Sequence, residues 1–390
     1  MTLPALNSAV VTGRRVMIRA DLNVPIEKGR VANDQRIHAS LPAIRHCLDR
    51  DAAVIVLSHL GRPAEGSFDA RFSLAPVAVE LGRALGMPVP LMRDWLNGVD
   101  VSRGQAVLCE NVRFNAGEKD NSPELGERMA ELCDLFVMDA FGSAHRAHAS
   151  VHAVARAAPE ACAGPLLLAE LKALQAAFAN PPRPLTAIAG GAKISGKLGV
   201  LRSLASHADV LIPGGGIANT LLGATGVELG ASLAEPEMLA EAREVLSGAA
   251  EVLLPVDAVL APSPDAPRRA RIAPVEDVGR NEMILDIGPR TAEIYAQAIA
   301  GAGAVVWNGP LGLFEVEAFA GGTRKVAEAV AASPAFRVAG GGDTLRALDE
   351  FGLASTLDHL CTGGGAMLAW IERRELPGVS VLQRRASTAS

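Results

Sequence analysis

The sequence is poor in aromatic residues, which make up 4% of its 390 residues. Proteins that bind single-stranded nucleic acids stack the bases on aromatic side chains, so this scarcity argues against such a surface. The formal net charge of −6 also argues against a general nucleic-acid binder, which would normally be basic. We therefore expect no nucleic-acid partner.

The sequence also lacks closely spaced cysteine pairs. Its five cysteines are scattered and form no C-x-x-C motif: Cys47, Cys109, Cys133, Cys162 and Cys361. This spacing favours reduced thiols over a disulfide framework or a zinc site. The N-terminus shows no basic segment followed by an apolar block and a cleavage site, so we expect a cytoplasmic protein.

Long apolar runs are rare, and one uncharged stretch, residues 210–227, approaches the length of a membrane span. It contains Pro213, three consecutive glycines and Asn219, which a lipid-facing helix disfavours. We expect a strand, a loop and a helix there, and no association with a membrane.

What the sequence does contain is a regular alternation of strand-length apolar runs and longer amphipathic segments. Alternation of this kind is typical of βαβ units with parallel sheets. The predicted strands cover residues 15–20, 53–58, 106–109, 135–139, 185–189, 209–213, 252–256, 304–307, 336–339 and 357–361. The predicted helices include residues 74–85, 169–178, 236–246 and 322–332.

The length of 390 residues exceeds that of one ordinary core and indicates two domains. Proline clusters flank a helical segment near residues 159–184, where we place the boundary. We predict an α/β fold of two Rossmann-like domains with parallel sheets, joined by a helix and hinge. The predicted parts are residues 1–164, a linker helix at 165–184, residues 185–375 and a tail at 376–390.

Basic side chains follow the predicted strands of the first half. Arg62, Arg113 and Arg146 each come shortly after a strand, and we expect them to converge on one edge of the sheet with His59 and Arg36. Ligands of open parallel sheets bind beyond the carboxyl ends of the strands, and several guanidinium groups there suit a phosphate or carboxylate. A metal site at the pair His145 and His148 is an alternative, although structural histidines are commoner.

Glycines follow the predicted strands of the second half, at residues 190–191, 214–216, 340–342 and 363–365. Exposed amides and helix N-termini at one sheet edge suit a polyphosphate. None of these loops completes the G-x-G-x-x-G motif, so a nicotinamide dehydrogenase fits poorly. Asp343 could bind magnesium and Thr344 a phosphate oxygen, although Asp343 is equally compatible with a helix cap.

The stretch 185–198 joins a predicted strand to a predicted helix and contains Lys193 and Lys197. Residues 191–197 match most of the Walker A motif, but Leu198 stands where a Ser or Thr would contact magnesium. The stretch is therefore either a damaged P-loop or another phosphate site. With a small-anion site in one half and a polyphosphate site in the other, the sequence predicts a phosphotransferase.

From about Arg15 to Leu382, the sequence resembles the phosphoglycerate kinase family. The segments that carry the resemblance are residues 18–25, 58–63, 110–114, 139–150, 190–197, 307–315, 340–344, 362–365 and 376–379. The resemblance implies reversible phosphoryl transfer from 1,3-bisphosphoglycerate to ADP, which gives 3-phosphoglycerate and ATP. It also implies a monomer whose C-terminal tail packs on the N-terminal domain. Because the substrates would bind to separate domains, we expect hinge closure before transfer.

The resemblance further implies three overlapping sets of site residues. The phosphoglycerate site would consist of Asp21, Leu22, Asn23, Arg36, His59, Leu60, Gly61, Arg62, Arg113 and Arg146. The nucleotide site would consist of Lys197, Glu315, Gly341, Gly342, Asp343 and Thr344, with Glu315 on the ribose and Asp343 on Mg²⁺. The transferring phosphoryl group would be stabilised by Arg36, Lys193, Lys197, Gly342 and Gly364.

Some positions depart from the family pattern without removing a charged residue from these sets. They are Met138, Gly196, Ile217, Leu221, Cys361 and Met367. Nucleotide preference and rate therefore stay open. Two alternatives also stay open: a P-loop phosphotransferase built on residues 191–197, and a nucleotide-binding regulator that has lost turnover.

Overall fold

The computed structural model describes residues 3–388, which form two compact units. Unit 1 runs to Lys172 and resumes at Glu375, and unit 2 comprises Ala173–Arg374. Each unit is built around one six-stranded parallel sheet.

The described part of unit 1 has eight strands: β1 (Arg15–Arg19), β2 (Ile26–Glu27), β3 (Arg30–Val31), β4 (Ala53–Leu57), β5 (Leu91–Met92), β6 (Ala106–Cys109), β7 (Leu135–Met138) and β8 (Glu160–Ala163). Its first helices are α1 (Gln35–Leu48), α2 (Ala75–Leu85), α3 (Pro123–Ala130), α4 (Val154–Ala157) and α5 (Pro165–Phe178), the last of which continues into unit 2. Every residue of β4, β6 and β7 is buried, as expected for a parallel sheet covered on both faces.

The strand order of the unit 1 sheet is β5-β6-β4-β1-β7-β8. The chain moves outward from β1 through β4 and β6, and then returns to the other side of β1 as β7. The strand order therefore reverses between β1 and β7. Such a reversal opens a crevice at the carboxyl ends of the strands, where ligands of this architecture bind.

Unit 2 has nine strands: β9 (Leu185–Ala189), β10 (Val210–Pro213), β11 (Glu251–Val252), β12 (Asp257–Ala261), β13 (Arg271–Pro274), β14 (Met283–Ile287), β15 (Ala304–Asn308), β16 (Phe336–Gly340) and β17 (His359–Cys361). Its helices after α5 are α6 (Leu198–His207), α7 (Gly215–Ala224), α8 (Leu239–Leu246), α9 (Pro289–Ala300), α10 (Gly321–Ala332), α11 (Gly342–Glu350) and α12 (Gly364–Ile371). The sheet order β11-β10-β9-β15-β16-β17 reverses between β9 and β15.

Unit 2 also holds a small antiparallel sheet, β13-β12-β14, that the sequence analysis missed. The predicted strand at residues 252–256 is wrong, because β11 ends at Val252 and β12 begins only at Asp257. Pro255 lies between them. A proline lacks the N–H that a continuous strand needs, so the chain leaves one sheet before it enters the other.

A last helix, α13 (Pro377–Thr388), packs on unit 1. The Gly378 amide donates to the Ala144 carbonyl at 3.0 Å, and the Arg385 guanidinium donates to the Arg156 carbonyl at 2.7 Å. Leu382 is fully buried. Both ends of the chain therefore contribute to unit 1.

The predicted α/β class with two parallel sheets is confirmed. Residues 210–227 form β10, a glycine turn and α7. Between residues 3 and 388, no helix combines the length and apolar character needed to cross a membrane. All five cysteines are buried and unbridged.

Candidate functional site

In unit 1, polar groups meet where β1 and β4 end. The Arg36 guanidinium lies 3.3 Å from the Asp21 carboxylate and donates to the Asn23 carbonyl at 3.0 Å. The Asn23 side-chain oxygen accepts a 2.9 Å hydrogen bond from the Gly61 amide. These bonds tie the loop after β1 to the loop after β4, at the edge where the strand order reverses.

Gly61 holds the turn after β4 in a left-handed conformation that favours glycine, at a position with no room for a side chain. Its φ is +59°, and an added Cβ would lie 2.3 Å from the Phe72 ring. The Gly61 carbonyl accepts a hydrogen bond from the Arg113 guanidinium. The backbone amide of Arg113 donates to the side-chain oxygen of Asn111 at 3.1 Å. Nε of Arg113 is buried and has no hydrogen-bond partner among the described residues. It is a donor left available for an anion.

The structure places several positive charges together around these loops. Burial, and then Arg19, Arg113, Arg36 and Arg146, hold the pKa of His59 well below its usual range. Burial, together with the neighbouring charges of Arg146 and Arg19, lowers the pKa of Arg113 to about 10. His59 is therefore a neutral imidazole among guanidinium groups. Such a cluster is stabilised when an anionic ligand enters it.

The other residues implied for the phosphoglycerate site lie on the same loops. Arg62 is exposed and Arg146 is half-buried, so both guanidinium groups lie toward the solvent side of the cluster. Leu22 and Leu60 are buried in the core of unit 1 and can offer only backbone groups. The Leu22 amide already donates to the Ser58 hydroxyl at 2.8 Å.

Three buried residues beneath this cluster were missed by the sequence analysis. Arg19 donates from Nη2 to Nδ1 of His59 at 3.2 Å and from Nε to the Ser150 hydroxyl at 3.0 Å. The Ser150 hydroxyl donates to the Glu118 carboxylate at 2.6 Å. The only sequence signal for this arrangement is the arginine at the carboxyl end of strand β1, directly after three apolar residues.

In unit 2, Lys197 lies where the strand order of the sheet reverses, between β9 and β15. Its Nζ donates to the Gly190 carbonyl and to the side-chain oxygen of Asn308, both at 2.6 Å. Gly190 has to be glycine, because an added Cβ would lie 1.9 Å from the Pro310 carbonyl oxygen. Burial lowers the pKa of Lys197 to about 8, opposed by the nearby carboxylate of Asp343.

Two helix N-termini flank this lysine. Helix α11 begins at Gly342, directly after Gly341 with its φ of +99°, and helix α12 begins at Gly364. An added Cβ on Gly364 would lie 3.0 Å from Cα of Gly341, so the two glycine turns are adjacent. Thr344 fixes the loop by accepting a 2.7 Å hydrogen bond from the Gly309 amide. Free amides at adjacent helix starts suit phosphate oxygens.

A cavity of about 300 Å³ opens beside these turns. Its lining includes the Gly191 turn, Asp343, Glu315 and apolar side chains such as Leu285 and Phe314. The Glu315 carboxylate forms an ion pair with Arg346, whose guanidinium lies 4.7 Å from the centre of the Phe314 ring. The sequence analysis missed Arg346. Lys193 is exposed and does not belong to the cavity lining.

A nucleotide substrate would bring Mg²⁺ with it, so the site has to offer oxygen ligands to that ion. The described residues contain no group of three or more His, Cys, Asp or Glu side chains that could hold a metal. Mg²⁺ in nucleotide sites usually takes one or two carboxylates together with substrate phosphates. The exposed carboxylate of Asp343, in the first turn of α11 and at the cavity, fits that mode.

Comparison with known proteins places this chain among its relatives. A family model described as phosphoglycerate kinase matches residues 6–374. The phosphoglycerate kinase of Nitratidesulfovibrio vulgaris (strain DSM 19637 / Miyazaki F) is 52% identical over 379 residues, covering 96% of both chains. That of Coxiella burnetii (strain RSA 493 / Nine Mile phase I) is 51% identical over 377 residues, again covering 96% of both.

Solved structures agree with this match. The structure of phosphoglycerate kinase from Coxiella burnetii has a TM-score of 0.92 at 49% identity, and covers 99% of this chain and 100% of its own. The crystal structure of phosphoglycerate kinase from Pyrococcus horikoshii OT3 has a TM-score of 0.87 at 30% identity, with the same coverage. The resemblance drawn from the sequence motifs is thus confirmed, and the chain belongs to the phosphoglycerate kinase family.

Proposed function

We propose that this chain catalyses reversible phosphoryl transfer from 1,3-bisphosphoglycerate to ADP, which gives 3-phosphoglycerate and ATP. The observation that carries the proposal is the pair of phosphate-type sites at the two strand-order reversals. One is the guanidinium cluster of unit 1, and the other is Lys197 with the adjacent glycine turns in unit 2. Such a pair suits a reaction with two phosphorylated substrates. The reaction would belong to glycolysis and gluconeogenesis.

The chemistry agrees with the residue types. In the direction that consumes ATP, the nucleophile is the carboxylate of 3-phosphoglycerate, whose unperturbed pKa is roughly 4. It is already ionised at neutral pH, so the enzyme needs no general base. What the transfer needs is positive charge and amide donors around the moving phosphoryl group. Both sites supply these groups, and His59 stays neutral.

We assign each substrate to one unit. The phosphoglycerate would bind at Asp21, Asn23, Arg36, His59, Arg62, Arg113 and Arg146, with backbone groups from Leu22, Leu60 and Gly61. The nucleotide would bind at Lys197, Glu315, Gly341, Gly342, Asp343 and Thr344. Arg36, Lys193, Lys197 and the amides of Gly342 and Gly364 would stabilise the charge of the transferring group.

Asp343 is the proposed magnesium ligand. The cation supplies charge neutralisation on the nucleotide phosphates. Lys197 interacts electrostatically with Asp343, so the carboxylate and the ammonium group lie close enough to act on the same polyphosphate. We further propose a monomeric cytoplasmic enzyme.

The proposal is tested by a coupled assay with 3-phosphoglycerate, ATP and Mg²⁺. Any 1,3-bisphosphoglycerate formed is reduced by added glyceraldehyde-3-phosphate dehydrogenase, and NADH oxidation reports turnover. We expect turnover only when all three components are present. A separate assay of phosphate release covers the P-loop alternative, which ATP hydrolysis at the same rate without 3-phosphoglycerate would support. Binding of both substrates without turnover would support the regulator.

A further inference from the structure

A chain of hydrogen bonds runs beneath the phosphoglycerate site, and the inference drawn from it rests on the function proposed above. Glu118, Ser150 and Arg19 are buried at 0%, 0% and 1% exposure. None of them belongs to the residue sets implied by the family motifs. A buried carboxylate and a buried guanidinium are costly unless hydrogen bonds compensate them.

The directions of these bonds are fixed by the chemistry of the donors. Both carboxylate oxygens of Glu118 accept from Ser150: Oε1 from the hydroxyl at 2.6 Å and Oε2 from the amide at 2.9 Å. The hydroxyl has only one proton, which it gives to Glu118. Its oxygen can therefore only accept from Nε of Arg19, at 3.0 Å. Ser150 thus holds Nε of the guanidinium, while Nη1 donates to the Ala20 carbonyl at 2.5 Å and Nη2 lies 3.5 Å from the Ser143 hydroxyl.

The orientation of Arg19 in turn determines the state of His59. Nη2 of Arg19 lies 3.2 Å from Nδ1 of His59. A guanidinium group only donates, so Nδ1 has to accept, and the proton of the neutral ring has to reside on Nε2. His59 can then offer a single neutral N–H to a ligand.

We propose that Ser150 and Glu118 are positioning residues for phosphoglycerate binding, which act through Arg19 to fix the tautomer of His59. Neither residue has to touch the substrate. The bonds run from Glu118, in the segment after β6, and Ser150, in the segment after β7, to Arg19 at the end of β1. The bonds therefore connect these three parts of unit 1 beneath the phosphoglycerate site. A shift of any one of them would misplace the hydrogen-bond donors of that site.

The test compares Ser150→Ala with Ser150→Thr and with a control, Ser333→Ala. Ser333 is also buried and its hydroxyl also donates a hydrogen bond, to the Ile299 carbonyl at 3.1 Å, but it lies in unit 2 and outside this chain of bonds. We expect S150A to raise KM for 3-phosphoglycerate on the order of fivefold to tenfold, the effect of losing one such hydrogen bond. KM for ATP should stay within about twofold, S150T should restore the wild-type KM, and S333A should leave it unchanged.

The second readout is the ¹⁵N spectrum of the His59 ring, which distinguishes the two tautomers without turnover. We expect the Nε2–H form in the wild type and S150T, and a mixture of both forms in S150A. Should S150A fail to fold, Glu118→Gln takes its place, because it keeps the side-chain volume and removes the charge that orients the hydroxyl.

The inference stands only if KM for 3-phosphoglycerate and the tautomer both change in the variant. A change in one alone, or an equal rise in both KM values, overturns it, since general loosening of the core would produce that pattern. Failure of the wild type to turn over overturns the proposed function instead. The wild-type assay therefore separates the two failures.

Discussion

The environment of Lys197 in the free protein already favours the binding of a polyphosphate. Its ammonium group is largely withdrawn from water and is held by two oxygen acceptors. Burial lowers its pKa to about 8, because the charged form loses hydration. A bound polyphosphate favours the charged form and raises that pKa again. Binding and protonation of Lys197 are thus linked.

This linkage gives a pH-dependence with a defined sign. Below the pKa of about 8, Lys197 is charged in the free enzyme; above it, binding has to recruit a proton. We therefore expect the affinity for ATP with Mg²⁺ to fall as the pH rises through about 8, by up to about tenfold per pH unit. Isothermal titration calorimetry across that range measures it.

The control for this prediction is Lys197→Arg, whose guanidinium stays charged throughout. Its affinity should not decline over the same interval, even if it starts from a lower value. An equal decline in K197R and the wild type would assign the effect to another group.

At the residue scale, the sequence motifs predicted the charged groups on the loops but not those beneath them. His59, Arg113 and Lys197 follow strands of the parallel sheets, so the rule that ligands bind at strand ends selects them as candidates, whereas Arg36 lies in α1 and reaches the loop after β1 with its side chain. Glu118 and Ser150 come from different segments and meet only through the fold. A pattern that is local in sequence carries no information about such a contact.

Among the elements, the turn between β16 and α11 depends on the order of its glycines. Gly341 has a φ of +99°, and an added Cβ would lie 2.8 Å from the Asn308 side-chain nitrogen. The neighbouring Gly342 has no atom within 4 Å of an added Cβ and begins the helix. Gly341 and Gly342 are therefore a matched pair of positions at which to compare substitution by alanine.

We expect Gly341→Ala to lower the free energy of unfolding by at least about 1 kcal/mol, because alanine is strained at positive φ. Gly342→Ala should change it by less than about 0.5 kcal/mol. Urea unfolding of both variants measures the difference. Equal destabilisation of the two would show that the turn does not have this geometry.

The start of helix α5 is capped by a side chain from another element. One oxygen of Asp139, Oδ1, accepts from the amides of Leu166 and Leu167 at 2.8 and 3.1 Å. The other oxygen is buried without a partner among the described residues. Burial raises the pKa of Asp139 to about 7, although the two amide bonds oppose the shift.

The sign of the resulting pH effect follows from the raised pKa. Between about pH 4 and pH 7 the folded state binds a proton at Asp139 that the unfolded state has lost. The contribution of Asp139 to the free energy of unfolding therefore falls as the pH rises through this window. We expect Asp139→Asn to reduce that fall in urea titrations. The exposed Asp120→Asn should leave it unchanged, and an unchanged slope in D139N would contradict the assignment.

At the element scale, the parallel sheets were predictable and the antiparallel sheet was not. Buried parallel strands form continuous apolar runs, which explains the agreement for β4, β6 and β9. Strands β13 and β14 are partly exposed, and β12 closely follows Pro255, so their pattern resembles that of a loop. Their pairing depends on contacts with α7 and α9 that no local pattern encodes.

At the scale of the whole molecule, the proposed function gives each unit one substrate to bind. Arg36→Ala should weaken 3-phosphoglycerate binding by about tenfold or more, because it removes a charged donor, and leave ATP binding within about twofold. Lys197→Ala should show the opposite selectivity. Calorimetry with one ligand at a time measures all four affinities. Parallel losses of both affinities in either variant would contradict the separate assignment.

The proposed enzyme transfers one phosphoryl group reversibly between its two substrates. An assay in the direction that forms ATP is the sharpest test of this transfer. The wild-type chain is mixed with 1,3-bisphosphoglycerate, generated in place, together with ADP and Mg²⁺, and ATP is measured by luciferase luminescence. We predict rapid ATP formation that requires both substrates and is strongly reduced in K197A. No ATP above the enzyme-free control, from folded protein that binds both substrates, would contradict it.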